Sequence, residues 1–211
     1  MMQRRFAIIG HRAPSTGRLN LNDLAGSSGR MDVLCRAVNA ALFLSHGIRQ
    51  DSDITLHLQG GEGPPRRIWF EGSKIRGLHP NERAIAGRIS NILQLPPPVA
   101  GMMEEVTTGI WHDAGDLSTT LEEWGKEEIK LVILDAKANL LSSHPDLSQQ
   151  FNQNIRFGFF LSDDLVFTPD ETNLLDENAS RYSISEKWLQ GHMAIGITHH
   201  ILDTIKESSC D

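Results

Sequence analysis

The residues of this sequence best suited to chemistry are arginines set around a small-residue turn. Gly26-Ser27-Ser28-Gly29-Arg30 stands directly before a strongly patterned helical segment. Small residues let backbone N–H groups converge, and a helix N-terminus carries partial positive charge, so the pattern suits a phosphate. Arg12, Arg18, Arg30 and Arg36 are close in sequence, each offering a planar fork of donors to phosphate oxygens. Alone, the same five residues favour a plainer reading, a helix entry capped near Ser28 or Gly29. No GxxxxGK[ST], GxGxxG or GxSxG string occurs, so the usual nucleotide and serine-nucleophile fingerprints are missing.

Asp23, Asp32, Glu62 and Glu82 lie among these arginines, as proton acceptors or, more simply, as arginine partners. His192 and His199 share a helix face but sit two turns apart, about 10 Å, too far for one zinc ion. Cys35 falls inside an apolar helix and reads as a small hydrophobe, and Cys210 lies in the tail. Two cysteines exclude a disulfide framework. No metal site and no particular catalytic residue is expected.

The elements that must hold these groups follow from patterning. Arg5–Gly10 is a short apolar run expected as a buried strand, and residues 11–29 read as a loop. Residues 30–46 predict a helix with Met31, Leu34, Val38, Ala41, Leu42 and Ser45 on one stripe and Gly47 as its stop. Ile54, Leu56 and Leu58 alternate with polar residues, GGEGPP turns the chain, and Arg67–Glu71 returns, which makes a hairpin. Pro80 is expected in the first turn of a helix striped by Ile85, Ile89, Ile92 and Leu93. Leu95–Gly101 is a candidate linker, or an exposed connection within one sheet. Residues 117–124 predict a helix, 130–134 and 156–161 strands, and 188–206 a final helix. Strands alternating with helices imply an α/β fold with a mostly parallel sheet.

The 211 residues fit a single domain of residues 1–211 that needs no disulfide staples. No run approaches the ~20 apolar residues of a membrane helix, and the N-terminus lacks a signal-peptide pattern. A cytoplasmic protein is therefore expected. The net charge of -7 would argue against nucleic acid, but the charge is split. Residues 1–100 hold 13 Lys+Arg, twelve of them arginine, against 7 Asp+Glu, whereas residues 101–211 hold 7 against 20. A basic half of +6 before an acidic half of -13 suits a polyanionic partner, or a solvated surface whose composition drifts.

Two long strings carry a resemblance. LAGSSGRMDVLCRAVNAALFLSHGIRQD (residues 24–51) and PPRRIWFEGSKIRGLHPNERAIA (residues 64–86) resemble the SPOUT-type tRNA pseudouridine N1-methyltransferases of archaea and their bacterial relatives. The likeness extends over almost the whole chain. It implies an α/β sheet whose C-terminal part, about residues 130–206, threads into a deep trefoil knot. It also implies a homodimer, bound S-adenosylmethionine, and methyl transfer to N1 of a T-loop pseudouridine in tRNA. Ile195, Ile201, Leu202 and Ile205 could give the final helix an apolar dimer face, or one buried within the subunit.

By the same resemblance, Leu134, Ser162, Met193 and the segment Ser183, Ile184, Ser185, Glu186, Lys187 and Trp188 are the cofactor-binding positions. Ser162 stands where the family has glycine in L-G-D-H, and Met193 where archaeal members have cysteine in S-H-C. Arg12, Arg18, Arg30 and Arg36 become the RNA-binding residues. Such chemistry relies on positioning and water exclusion more than on covalent help. Two alternatives stay open: a non-catalytic RNA-binding relative, and a methyltransferase that acts on ribosomal RNA or another acceptor.

Overall fold

The computed structural model describes residues 4–143 and 155–207, with side chains through Thr204. In chain order the elements are β1 (Arg4–Pro14), α1 (Met31–Leu42), β2 (Phe43–Leu44), β3 (Gly47–Ile48), β4 (Ser52–Gly60), β5 (Arg66–Glu71) and α2 (Glu82–Leu93). There follow β6 (Glu104–Thr107), β7 (Ile110–Asp113), α3 (Leu117–Lys126), β8 (Lys130–Leu134), β9 (Phe157–Ser162), α4 (Pro169–Asn178), β10 (Ser180–Tyr182) and α5 (Gly191–Glu207). Eight strands make one sheet in the order β10-β8-β9-β1-β4-β5-β7-β6. From β10 to β4 the pairings are parallel, and from β4 to β6 antiparallel.

Strand alternation divides the apolar residues between two faces. Phe6, Ile8, Leu56 and Phe159 face α1, α2 and α5, where Leu34, Val38, Ile85 and Ile195 complete the core. Each such side chain fully removed from water contributes roughly 2 kcal/mol. Ala7, Ile9, Ile133 and Phe160 face α3 and α4 through Leu121, Trp124 and Leu175.

Several sequence expectations shift. The first strand runs through His11 to Pro14, so Arg12 lies on its carboxyl end and not in a loop. Helix α1 stops at Leu42, because Phe43 turns extended and Phe43–Leu44 folds back onto Gly47–Ile48; Ser45 is therefore off the stripe. Pro80 precedes the cap of α2; Asn81 is the cap, and its side chain accepts from the Ala84 amide. Leu95–Gly101 joins α2 to strands of the same sheet. The final helix begins at Gly191, leaving Trp188 to Gln190 in irregular chain. Its Ile195 and Leu202 are buried against the subunit's own core. Ile205 and Cys210 lie outside the residues whose side chains are described.

Candidate functional site

In a parallel sheet the carboxyl strand ends form the natural ligand crevice. Here a cavity of about 520 Å³ opens at the ends of β8, β9 and β10. The strand-end segments 134–136 and 161–167 form two of its walls. The third is the irregular chain from Ile184 to Gln190 together with the first turn of α5. Leu134, Leu165, Val166 and Trp188 supply apolar wall, while Asp135, Arg181 and Lys187 supply charge. The volume falls within the range of roughly 300–1,000 Å³ usual for small-molecule sites.

The β9 wall is fixed by a partly buried ionic triad. His11 Nδ1 lies 2.9 Å from Asp163 and Nε2 2.9 Å from Glu171 of α4, and the His11 amide donates to the same Asp163. Hydrogen bonding to Asp163 and then to Glu171 outweighs desolvation and raises the imidazole pKa to about 9. Burial pushes Glu171 upward, but His11 and the Thr168 amide outweigh it and hold the carboxyl down to about 2. Asp163 also accepts from the Leu165 amide, and Ser162 Oγ donates to the Leu165 carbonyl. The loop is thus tied at both ends, and Ser162 directs its hydroxyl into its own turn.

Asp164, next along, faces the rim. It pairs with Arg12, and with Arg30 Nη1 at 3.0 Å. Arg30 reaches Asp32 through Nε at 3.0 Å and Nη2 at 3.2 Å, Arg36 reaches the same Asp32 at 2.5 Å, and Glu82 lies 3.7 Å from Arg36. The rim is therefore a chain of alternating charge. Burial raises the Asp164 and Asp32 carboxyls, but their arginines outweigh it and leave both below the usual range. Backbone geometry places Arg12 in this chain. A Cβ on Gly29, whose φ is +60°, would stand 1.9 Å from the Arg12 carbonyl oxygen, and one on Gly60 2.3 Å from it. Only glycines let both segments close on Arg12. Arg30 itself sits at φ 63°, a left-handed conformation that costs an ordinary residue about 1–2 kcal/mol. Its two-pronged bond to Asp32 offsets that cost.

The positions named from sequence divide clearly. Leu134, Ser162, Ile184, Ser185, Lys187 and Trp188 meet on the cavity wall, whereas Glu186 and Met193 are not among its lining residues. Met193 projects from α5, half exposed. Ser183 is buried behind the wall, donating to the Ser185 carbonyl. Arg30 and Arg36 line the cavity, Arg12 joins them through Asp164, and Arg18 is exposed on the loop beyond β1. The glycine–serine turn is no open phosphate cradle. The Gly26 and Ser27 amides already donate to the Asp23 carboxylate at 2.9 Å, and Ser28 Oγ donates to the Asn20 carbonyl. His199 is tied to Arg4 and the Ala41 carbonyl. Burial depresses its pKa to about 3, so it is a neutral core residue. Cys35 is buried, and desolvation pushes its thiol pKa up, as a packing role requires. Among the described residues no three His, Cys, Asp or Glu side chains could hold a metal ion.

Sequence reasoning missed His11, Asp135, Asp163, Asp164 and Arg181. Asp135 and Asp163 each follow an apolar strand run, KLVIL and RFGFFLS, so the strand-end rule could have found them.

The structure is that of an α/β protein with a cavity of small-molecule size at the carboxyl ends of parallel strands. Residues 3–207 match the family described as "Putative SAM-dependent RNA methyltransferase", and the chain belongs to that family. The tRNA (pseudouridine(54)-N(1))-methyltransferase of Methanococcoides burtonii is 36% identical over 179 residues, 84% of each chain. The enzyme of that name from Methanosarcina mazei is 34% identical, covering 95% of this chain and 90% of its own. That of Haloferax volcanii is 36% identical over 95% of this chain and 96% of its own. Among solved structures, Archaeoglobus fulgidus Nep1 bound to S-adenosylhomocysteine matches with a TM-score of 0.63 at 12% identity. That match covers 98% of this chain and all of Nep1, and it shows that the two chains share a fold.

Proposed function

We propose that this protein methylates N1 of a pseudouridine in the T-loop of tRNA, with S-adenosylmethionine as donor. The observation that carries the reading is a cofactor-sized cavity at the ends of β8, β9 and β10 whose rim holds Arg12, Arg30 and Arg36. Relatives bearing that activity's name, similar over nearly the whole chain, support it.

The residues present fit S-adenosylmethionine. Leu134, Leu165 and Trp188 offer flat apolar contact to an adenine ring. Asp135, held by Arg181 at 2.7 Å, can accept from sugar hydroxyls, and Lys187 can meet a carboxylate. Ile184 and Ser185 line the wall; the buried Ser183, bonded to both the amide and the carbonyl of Ser185, fixes that stretch from behind, as Ser162 fixes the turn after β9. When bound, this cofactor supplies an electrophilic methyl on a sulfonium. The protein positions the acceptor in line and excludes water. Arginine suits the phosphates beside a splayed loop base. A trefoil knot formed by the C-terminal segment, a single domain, a homodimer and a cytoplasmic location complete the reading and rest on the family resemblance.

Methyl-labelled S-adenosylmethionine incubated with total tRNA, with and without pseudouridine, tests the assignment. Label is expected only in pseudouridine-containing tRNA, and mass spectrometry should place it on that nucleoside. No transfer to either pool would refute the enzyme. Transfer independent of pseudouridine would refute the acceptor.

A further inference from the structure

We infer that Asp164 is an internal counter-charge that a tRNA phosphate must displace from Arg12 and Arg30, so that this protein's grip on RNA is held below what its arginines could deliver. The inference rests on the RNA-face reading above and adds its regulation.

Three observations carry it. First, one carboxylate engages two arginines supplied by different segments, Arg12 from the end of β1 and Arg30 from the entry of α1. A phosphate that bridged the same two forks would need the same place. Second, Asp164 is held in that place by its neighbours. His11 grips Asp163 through a ring nitrogen and an amide, and Asp163 in turn receives the Leu165 amide. The competitor is thus presented by a rigid turn. Third, the ion pairs remain open to water. The Asp164 side chain is 26% exposed, that of Arg30 32% and that of Arg12 48%, so solvent screens them and an incoming anion can exchange with them. The buried Arg67–Asp113 pair, 1% and 0% exposed, has no such access.

The arrangement favours an RNA able to satisfy Arg12 and Arg30 together over a polyanion that reaches only one. Asp164 also lines the cofactor cavity, so its release changes the charge of that wall at the moment RNA docks.

The test compares the full chain with Asp164→Asn and with Asp170→Asn. The second removes the same charge from an exposed carboxylate in the first turn of α4. Binding to an unmodified tRNA transcript is measured by filter retention across a salt series. Asp164→Asn should bind about fivefold tighter, the worth of two exposed ion pairs. Its log–log salt dependence should steepen by about 0.7, one further net phosphate neutralised. Asp170→Asn should change affinity less than about twofold. Asp164→Glu should return affinity toward the parent value, and Asp164→Ser stands in if the Asn variant fails to fold. In an Arg12→Gln, Arg30→Gln background the gain from Asp164→Asn should vanish. If those two arginine changes weaken binding but Asp164→Asn matches Asp170→Asn, the counter-charge is refuted and the RNA face stands. If they leave binding unchanged, both readings fall.

Discussion

Replacing His11 by Gln should remove a pH-dependent contribution that can be sized from its contacts. The His11 ring is 10% exposed and lies between Asp163, 1% exposed, and Glu171, 11% exposed. Its pKa is about 9 in the fold and about 6.5 in the unfolded chain. The folded value is raised, so the stabilisation is complete below pH 6.5 and disappears as pH rises through 9. The shift corresponds to roughly 3 kcal/mol at its plateau, to about 2 kcal/mol at pH 7.5 and to about 0.4 kcal/mol at pH 9. The Glu171 carboxyl, held at about 2, describes the same contact from the other side and is not added. Its depression sets the acid limit, since the benefit is lost only as pH falls below about 4.5 toward 2. Urea unfolding of parent and His11→Gln between pH 5.5 and 9.5, followed by tryptophan fluorescence, should show a stability gap that closes with pH at constant slope. A gap that stays flat across that range would show that His11 is not held as an imidazolium and would refute the reasoning.

Three further outcomes follow from the geometry. Gly29→Ala should cost more than about 2 kcal/mol in urea unfolding, because its Cβ meets the Arg12 carbonyl oxygen at 1.9 Å and its backbone is left-handed; an unchanged midpoint would contradict the packing of Arg12. Trp188→Ala should weaken S-adenosylmethionine binding about tenfold in calorimetry, since this ring is 68% exposed and lines the cavity, while Met193→Ala should leave it unchanged. Equal effects of the two would refute the assigned wall. Asp203→Asn should destabilise by about 1–2 kcal/mol and speed amide exchange in α5. It removes a carboxylate shared by Arg4, 1% exposed, and Arg49; slow exchange as in the parent would refute that tether.

The legible parts of the fold were those with a regular apolar period. Met31, Leu34, Val38, Ala41 and Leu42 mark α1 because one stripe faces the core, and Ile54, Leu56 and Leu58 mark β4 by alternation, although both faces of that strand are buried. Other elements had no such signal, α4, β10 and β6 among them. Helix α4, PDETNLLDEN, buries only Leu175, and its start is set by the Thr168–Glu171 capping box. Strand β10 is three residues long, and β6 is exposed at Glu104, Glu105 and Val106. The cavity wall was legible only through family resemblance. Ile184, Ser185 and Trp188 follow no periodicity, and what brings them to Leu134 and Ser162 is the parallel order of β10, β8 and β9. The strand-end carboxylates were within reach of sequence reasoning; the His11–Glu171 contact, which spans most of the chain, was not.

The charge split reads differently once the chain is folded. Of the arginines that make the first hundred residues basic, Arg4, Arg66 and Arg67 are each about 1% exposed. Arg66 bonds the Ile92 and Leu95 carbonyls at the end of α2, and Arg67 is locked by Asp113 and Glu123. Arg5 meets Glu127, Arg4 and Arg49 meet Asp203, and Arg12 and Arg30 meet Asp164. Part of the acidic half is thus counter-charge for the basic half, delivered by the fold across separations of 46 to 199 residues. The two halves do not become two opposed faces, so a long-range field of +6 is not what would draw a polyanion to this surface. What remains is local. Arg30, Arg36 and, through Asp164, Arg12 converge on the rim of one cavity, each already holding a carboxylate. Recognition built this way depends on a phosphate arriving in a geometry good enough to take the carboxylate's place, and that requirement selects for the shape of the RNA as well as for its charge.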